Sequence, residues 1–166
     1  MASEKNYILD AATAEKKLQR MAYEILENNP DEHHLILAGI RESGSVIARR
    51  IQQHLQKISD VQTELLTITL DKKYPTTVTL SKEMNFDDKV IIVMDDVANS
   101  GKTLLYALKP FMEYHPRSIE TLVLVERSHK TFPVKPDYVG LSIATTLQEH
   151  IYVEEENDKV TGAYLD

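Results

Sequence analysis

The sequence predicts an α/β protein with a mainly parallel sheet flanked by helices, and three observations carry that prediction. Apolar runs at 35–38, at 90–94 and within 119–125 lack polar alternation, as strands covered on both faces do. Between them, apolar residues recur at helical spacing: Ala14, Leu18, Met21, Ala22 and Ile25 in one stretch, Ile47, Ile51, Leu55 and Ile58 in another. Polar, charged loops follow at least three strands, and in such a sheet they meet at one edge, where open α/β proteins bind ligands.

Asp10 is an N-cap for the first helix, which Asn28, Asn29 and Pro30 end. The strand at 35–38 runs into the turn Gly39, Ile40, Arg41, Glu42, Ser43, Gly44, and the second helix follows. A strand is expected at 64–70. Residues 71–77 break the pattern and read as a mobile loop or hairpin tip, with 78–80 returning as a short strand. Asp87 and Asp88 mark a turn before the strand at 90–94, and a helix is expected over 102–114, closed by Pro116. Residues 126–130 read as a polar loop, and 138–143 and 151–153 as strands, while the pattern from Glu154 onward is weak. No repeat or linker divides the chain, so a single domain over 1–166 is expected.

With 42% hydrophobic and 27% charged residues, the composition is that of an ordinary globular protein. The absence of cysteine excludes a disulfide scaffold and any thiolate metal site, and fits a reducing compartment. The N-terminus is polar and no apolar run reaches membrane-spanning length, so the expectation is a cytoplasmic protein with no membrane partner. A net charge of −7 weighs against nucleic acid as the default partner, although a local basic patch is compatible with it. Glu154, Glu155 and Glu156 read as a solvated edge, and the six histidines show no metal-ligand spacing.

The chemistry concentrates at 90–103. The apolar strand ends at the adjacent carboxylates Asp95 and Asp96, a polar loop with one glycine follows, and a helix begins at Lys102, an arrangement that suits a phosphorylated ligand. Gly101, Lys102 and Thr103 look like the end of a P-loop. That motif needs a glycine five positions before its last glycine, where this chain has Asp96, so a nucleoside-triphosphatase is disfavoured. Paired acids at a strand end can also simply cap the next turn.

The whole string, with Asp95, Asp96, Ser100, Gly101 and Thr103 in register, resembles the phosphoribosyl-diphosphate signature of the type I phosphoribosyltransferases. The likeness extends over Ile8 to Asp10, 35–44, the strand end at 67–70, Leu122 to His129 and Pro136 to Gly140, and there it looks like the bifunctional pyrimidine operon attenuator/uracil phosphoribosyltransferase family. The resemblance implies the type I fold, with a small hood beside the main sheet. It also implies transfer of 5-phosphoribosyl from its 1-diphosphate to a nucleobase, uracil foremost, with Mg²⁺ and in a homodimer. Asp95 and Asp96 would hold the ribose hydroxyls, and Ala98, Asn99, Ser100, Gly101, Lys102 and Thr103 the 5-phosphate. Arg41 would neutralise the leaving diphosphate beside Glu42, Ser43 and Gly44, with Lys72 and Lys73 on a loop folding over it. Magnesium held mostly by substrate oxygens and water needs few protein ligands, so no dedicated metal motif is expected. Arg127, Tyr138 and Val139 would meet the base, with His129 nearby; a core tyrosine on a strand is the competing reading of Tyr138, as surface positions are for Arg41, Lys72 and Lys73.

Asn99 stands where 6-oxopurine phosphoribosyltransferases carry an aspartate, and Glu126 where they carry a lysine, so both residues point toward a pyrimidine. Ser43 replaces a basic residue of the attenuator family and Glu42 adds negative charge, which weakens diphosphate binding; the 70–90 segment is also shorter than in that family. The alternatives are a catalytically weak nucleotide-binding regulator of pyrimidine genes acting through RNA, a silent binder of phosphoribosyl diphosphate, and a 6-oxopurine enzyme.

Overall fold

The chain opens on a short strand, β1 (Asn6–Asp10), that passes directly into α1 (Ala11–Asn28). In this computed structural model, which describes residues 4–146 and 148–166, Asp10 caps that helix. Its carboxylate accepts from the Thr13 N–H at 2.7 Å and fills an orphan donor of the first turn. Ala14, Leu18, Met21, Ala22 and Ile25 are all buried on one face, as their spacing predicts.

The strand β2 (His34–Ile40) leads to α2 (Ser43–Ile58), then β3 (Gln62–Leu70) and the short β4 (Val78–Leu80). Next come β5 (Val90–Ala98), α3 (Lys102–Ala107), a 3-10 helix (Lys109–Glu113), β6 (Ser118–Arg127) and β7 (Tyr138–Ile143). The chain closes on a hairpin of β8 (Ile151–Glu156) and β9 (Lys159–Leu165).

The described residues build a six-stranded sheet in the order β4-β3-β2-β5-β6-β7, parallel except for β4, and a three-stranded antiparallel sheet β1-β9-β8. One apolar layer holds α1, α2, one face of the large sheet and residues of the small sheet, including Ile151, Val160 and Ala163. The other layer packs α3 and the 3-10 helix on the opposite face through Leu104, Ala107, Phe86 and Phe111. The small sheet is the hood that the resemblance implies.

Four expectations change. The helix expected over 102–114 stops at Ala107, because Pro110 has no N–H to offer the Tyr106 carbonyl and the chain continues as 3-10 turns. Glu126 and Arg127, expected in a loop, lie in β6, where Glu126 pairs with Ala98 and Arg127 with Ile143. The tail beyond Glu154 is a strand pair. Its turn is Asn157-Asp158, both with positive φ (52° and 62°), the two-residue geometry that matches strand twist. Of the three acids, Glu155 is not a solvated edge: it is half-buried and faces the ends of β5 and α2.

The topology fixes where a ligand can go. From β2 the chain crosses to β3 on one side, while β5 leads to β6 and β7 on the other. Pairing between β2 and β5 ends at Gly39 and Met94, yet β5 continues beside β6 through Asp95, Val97 and Ala98. The acid pair thus emerges where the strand order reverses, the usual binding crevice of an open α/β sheet.

Candidate active site

A cleft of about 340 Å³ opens at this point, within the range of small-molecule sites. It is lined by Ser43 from α2, Lys72 from the loop after β3, and Asp95 and Asp96 from β5. Ala98, Asn99, Ser100, Gly101 and Thr103 form its floor, and Ile151, Tyr152 and Val153 of β8 its far wall.

Each part is held from behind. Asp95 Oδ1 accepts from the Asp96 N–H at 2.9 Å, and Asp96 Oδ1 from the Val97 N–H at 2.8 Å, so each carboxylate is fixed through one oxygen. Both are almost fully buried. Burial pushes the Asp95 carboxyl well above the usual range, the Asp96 charge adds to the rise, and Lys72 opposes it from 3.7 Å. Gly101 takes φ 85°, which a side chain resists, and so turns the loop into α3. The Ser100 carbonyl accepts from the Thr131 and Phe132 N–H groups, both at 3.1 Å, while Ser100 Oγ accepts from the Lys102 N–H. Lys130 packs behind Gly101 and forms a buried ion pair with Glu126 at 2.9 Å.

Gly44 sets the distance between the start of α2 and β5. A Cβ there would lie 2.5 Å from the Met94 carbonyl oxygen and 3.3 Å from Asp95 Oδ1, so only glycine lets Ser43 approach the acid pair. Arg41, Glu42, Arg49, Thr67 and Glu155 line a second cleft beside Ser43, and the Arg41–Glu42 peptide is cis. Burial raises the Glu155 carboxyl above the usual range, as do the charges of Asp96 and Glu42, with Ser43 and Arg49 opposing.

The structure brings most of the expected residues together and leaves others out. Lys72 reaches Asp95, whereas Lys73 turns to solvent with its ammonium 5.7 Å from the Tyr74 ring. Lys102 does not line the cleft; its ammonium donates to the Lys73 carbonyl at 3.4 Å and holds the loop. Arg41 is largely exposed. Arg127 donates to the Glu149 carbonyl and ties down the approach to β8, and His129 is exposed outside the cleft. Glu126 pairs with Lys130, which packs against Gly101, and Glu126 does not line the cleft.

Tyr138 and Val139 do not reach the cleft. Tyr138 starts β7 opposite Leu122, in the core against α1, and its position does not fit stacking on a base. Its hydroxyl donates to Glu120 Oε2 at 2.6 Å and accepts from Asn28 Nδ2 at 3.3 Å; burial raises its pKa first, and Glu120 next. The Val139 carbonyl accepts from Arg20 at 3.1 Å, on the α1 side. Tyr138→Phe is therefore expected to cost about 1–2 kcal/mol of stability, read from denaturant unfolding, and to leave turnover unchanged. A raised KM for the base with unchanged stability would return Tyr138 to the site.

Sequence reasoning missed the wall made by Ile151, Tyr152 and Val153. These residues carry no chemistry of their own, and the apolar triplet before an acid run was the one available signal. Among the described residues, no group of three or more His, Cys, Asp or Glu side chains is placed to hold a metal, and no helix is long and apolar enough to cross a membrane.

A parallel sheet with a hood, a buried acid pair at the strand-order reversal and a glycine-turned loop beyond it define a type I phosphoribosyltransferase. A family model for the phosphoribosyl transferase domain matches residues 5–158, and the chain belongs to that family. The bifunctional protein PyrR of Macrococcus caseolyticus is 33% identical over 98% of this chain and 99% of its own length. That of Enterococcus faecalis is 35% identical over 93% and 92%. Among solved structures, the hypoxanthine phosphoribosyltransferase of Trypanosoma cruzi superposes with a TM-score of 0.79 over 97% of both chains at 13% identity. A hypoxanthine-guanine phosphoribosyltransferase of Bacillus anthracis gives 0.72 over 86% and 84% at 20% identity. These two likenesses concern the fold.

Proposed function

We propose that the protein transfers 5-phosphoribosyl from phosphoribosyl diphosphate to uracil, releasing diphosphate, and that it works as a homodimer, as the resemblance implies. The observation that carries the phosphoribosyl part is the cleft in which Asp95 and Asp96 stand beside the loop 98–103. The backbone N–H groups of that loop and the Ser100 and Thr103 hydroxyls receive the 5-phosphate. The acid pair accepts from the ribose 2- and 3-hydroxyls and offsets the positive charge that grows on the sugar as the C1–O bond to diphosphate breaks. Arg41 and Lys72 serve the leaving diphosphate, and the base lies against Ile151, Tyr152 and Val153.

Two buried carboxylates, together with the hydroxyls of a bound ribose, would make an all-oxygen donor set that fits Mg²⁺. Asp95 and Asp96 would hold the ion through those hydroxyls and water, and the ion would supply charge neutralisation on the diphosphate. The choice of uracil rests on the resemblance to the pyrimidine operon attenuator/uracil phosphoribosyltransferase family and on the neutral amide at Asn99.

A panel of labelled bases with phosphoribosyl diphosphate and Mg²⁺ tests the proposal. Nucleotide forms with uracil and diphosphate appears in equal amount. Product from hypoxanthine or guanine but not uracil overturns the choice of base, and no product from any base overturns the assigned activity.

The acids around Ser43 favour a second reading. Glu42 and Glu155 both flank the place assigned to diphosphate, and Glu155 Oε2 is buried with no hydrogen-bond partner among the described residues. They weaken diphosphate binding, which favours a protein that binds without turning over; a regulator acting through RNA is motivated by the resemblance to the attenuator family instead. Calorimetric binding of phosphoribosyl diphosphate without nucleotide formation separates a silent binder from an enzyme. Salt-dependent RNA affinity would mark the regulator.

A further inference from the structure

Asn99 does something in the fold that its place in the sequence does not reveal. Its side-chain oxygen accepts from the Ile151 N–H at 3.3 Å, and its side-chain amide donates to the Ile151 carbonyl at 3.4 Å. The two contacts copy the reciprocal pairing of a strand neighbour, with a side chain in place of a backbone. They matter because of what they join. Among the described residues, no backbone hydrogen bond links the loop 98–103 to β8, and β8 pairs only with β9. Yet these two segments form opposite walls of the cleft. Asn99 is the hydrogen-bonded seam between them; Arg127, which donates to the Glu149 carbonyl, holds the approach to β8 from the end of β6 rather than from the loop.

The residue type is specific to this task. An amide can both donate and accept, so it satisfies both Ile151 backbone groups. An aspartate would set a carboxylate oxygen against the Ile151 carbonyl, and an aliphatic side chain would leave both groups of a residue that is 3% exposed without a protein partner. We propose that Asn99 is a positioning residue that ties the phosphate loop to the base-side wall. On the phosphoribosyl reading given above, on which this consequence rests, a phosphate that orders 98–103 also sets Ile151 and Val153 against the base.

Amide hydrogen exchange and NMR titration of the full-length protein test this. In Asn99→Ala, the Ile151 N–H should exchange about fivefold to tenfold faster than in the wild type, while core amides such as those of Leu37 and Val93 keep their rates. Equal rates at Ile151 overturn the proposal. The second measurement needs no variant: phosphoribosyl diphosphate with Mg²⁺ should shift the Gly101 and Ile151 amide resonances with one midpoint. A shift at Gly101 with none at Ile151 overturns the tether and leaves the phosphoribosyl reading intact. No shift at either amide contradicts the phosphoribosyl reading itself, and the exchange rates then decide the tether alone. In turnover, Asn99→Ala should raise KM for the base by more than KM for phosphoribosyl diphosphate; an equal rise in both overturns the coupling of the two walls.

Discussion

Asp95→Asn should make the protein more stable as pH rises and cut its turnover by roughly 10²–10³-fold, the usual scale for removing one preorganised group that answers transition-state charge. The two effects have one source. Asp95 is buried beside Asp96, and its carboxyl holds its proton more tightly in the folded state than the ordinary value of 3.8. A group with a raised folded pKa contributes stability below its unfolded value and loses it as pH climbs through the folded one. The ionised Asp95 is thus a cost that the fold carries for the site. Asparagine keeps the acceptor for the Asp96 N–H and removes the charge. Melting temperatures of both proteins across pH should diverge in favour of the variant above 3.8. Parallel curves would mean that Asp95 is not a stressed carboxylate, and unchanged turnover would remove it from the chemistry.

Gly44→Ala should unfold the protein more easily by about 3 kcal/mol, at the upper end of overpacking costs, which lowers Tm by about 6–12 °C for a chain of this size. The added methyl would meet Met94 carbonyl oxygen at 2.5 Å and Asp95 Cα at 3.1 Å. Both are backbone atoms of the central strand, so the relief must come from α2 moving away. That movement widens the gap between Ser43 and Asp95 and should weaken phosphoribosyl diphosphate in calorimetry. A variant with wild-type Tm and affinity would show that Gly44 is not the spacer of the cleft.

The parts of the fold that were legible in the sequence are those with strong periodicity or strong chemistry. The faces of α1 and α2 follow from residues every three or four positions, and β5 from an unbroken apolar run. The acid pair and the loop 98–103 were legible as one string that resembles the phosphoribosyl-diphosphate signature; the two acids alone also read as a turn cap. The hood was legible only through the resemblance, not through periodicity. Its strands β1 and β9 are mostly exposed or glycine-interrupted and broken by register shifts, so they show no clean alternation. Asn157-Asp158, the turn of that hairpin, lies in the segment beyond Glu154 whose pattern is weak.

Tyr138 shows how a sequence match can put a residue at the wrong end of a strand. It lies at the beginning of β7, and a parallel sheet binds ligands at the other end, so the register of β7 against Leu122 decides the matter. Asn99 shows the converse. Its residue type was read as pointing toward a pyrimidine, and only the approach of β8, far along the chain, reveals the pairing it makes.

One cleft is expected to hold the phosphate on 98–103 and the ribose on Asp95 and Asp96. A crystal structure with uridine 5′-monophosphate tests it most directly. The expected result is the phosphate on the backbone N–H groups of 98–103, the ribose hydroxyls within hydrogen-bond reach of Asp95 and Asp96, and the base against Ile151, Tyr152 and Val153. A phosphate bound elsewhere, or a ribose turned away from the acid pair, would contradict it.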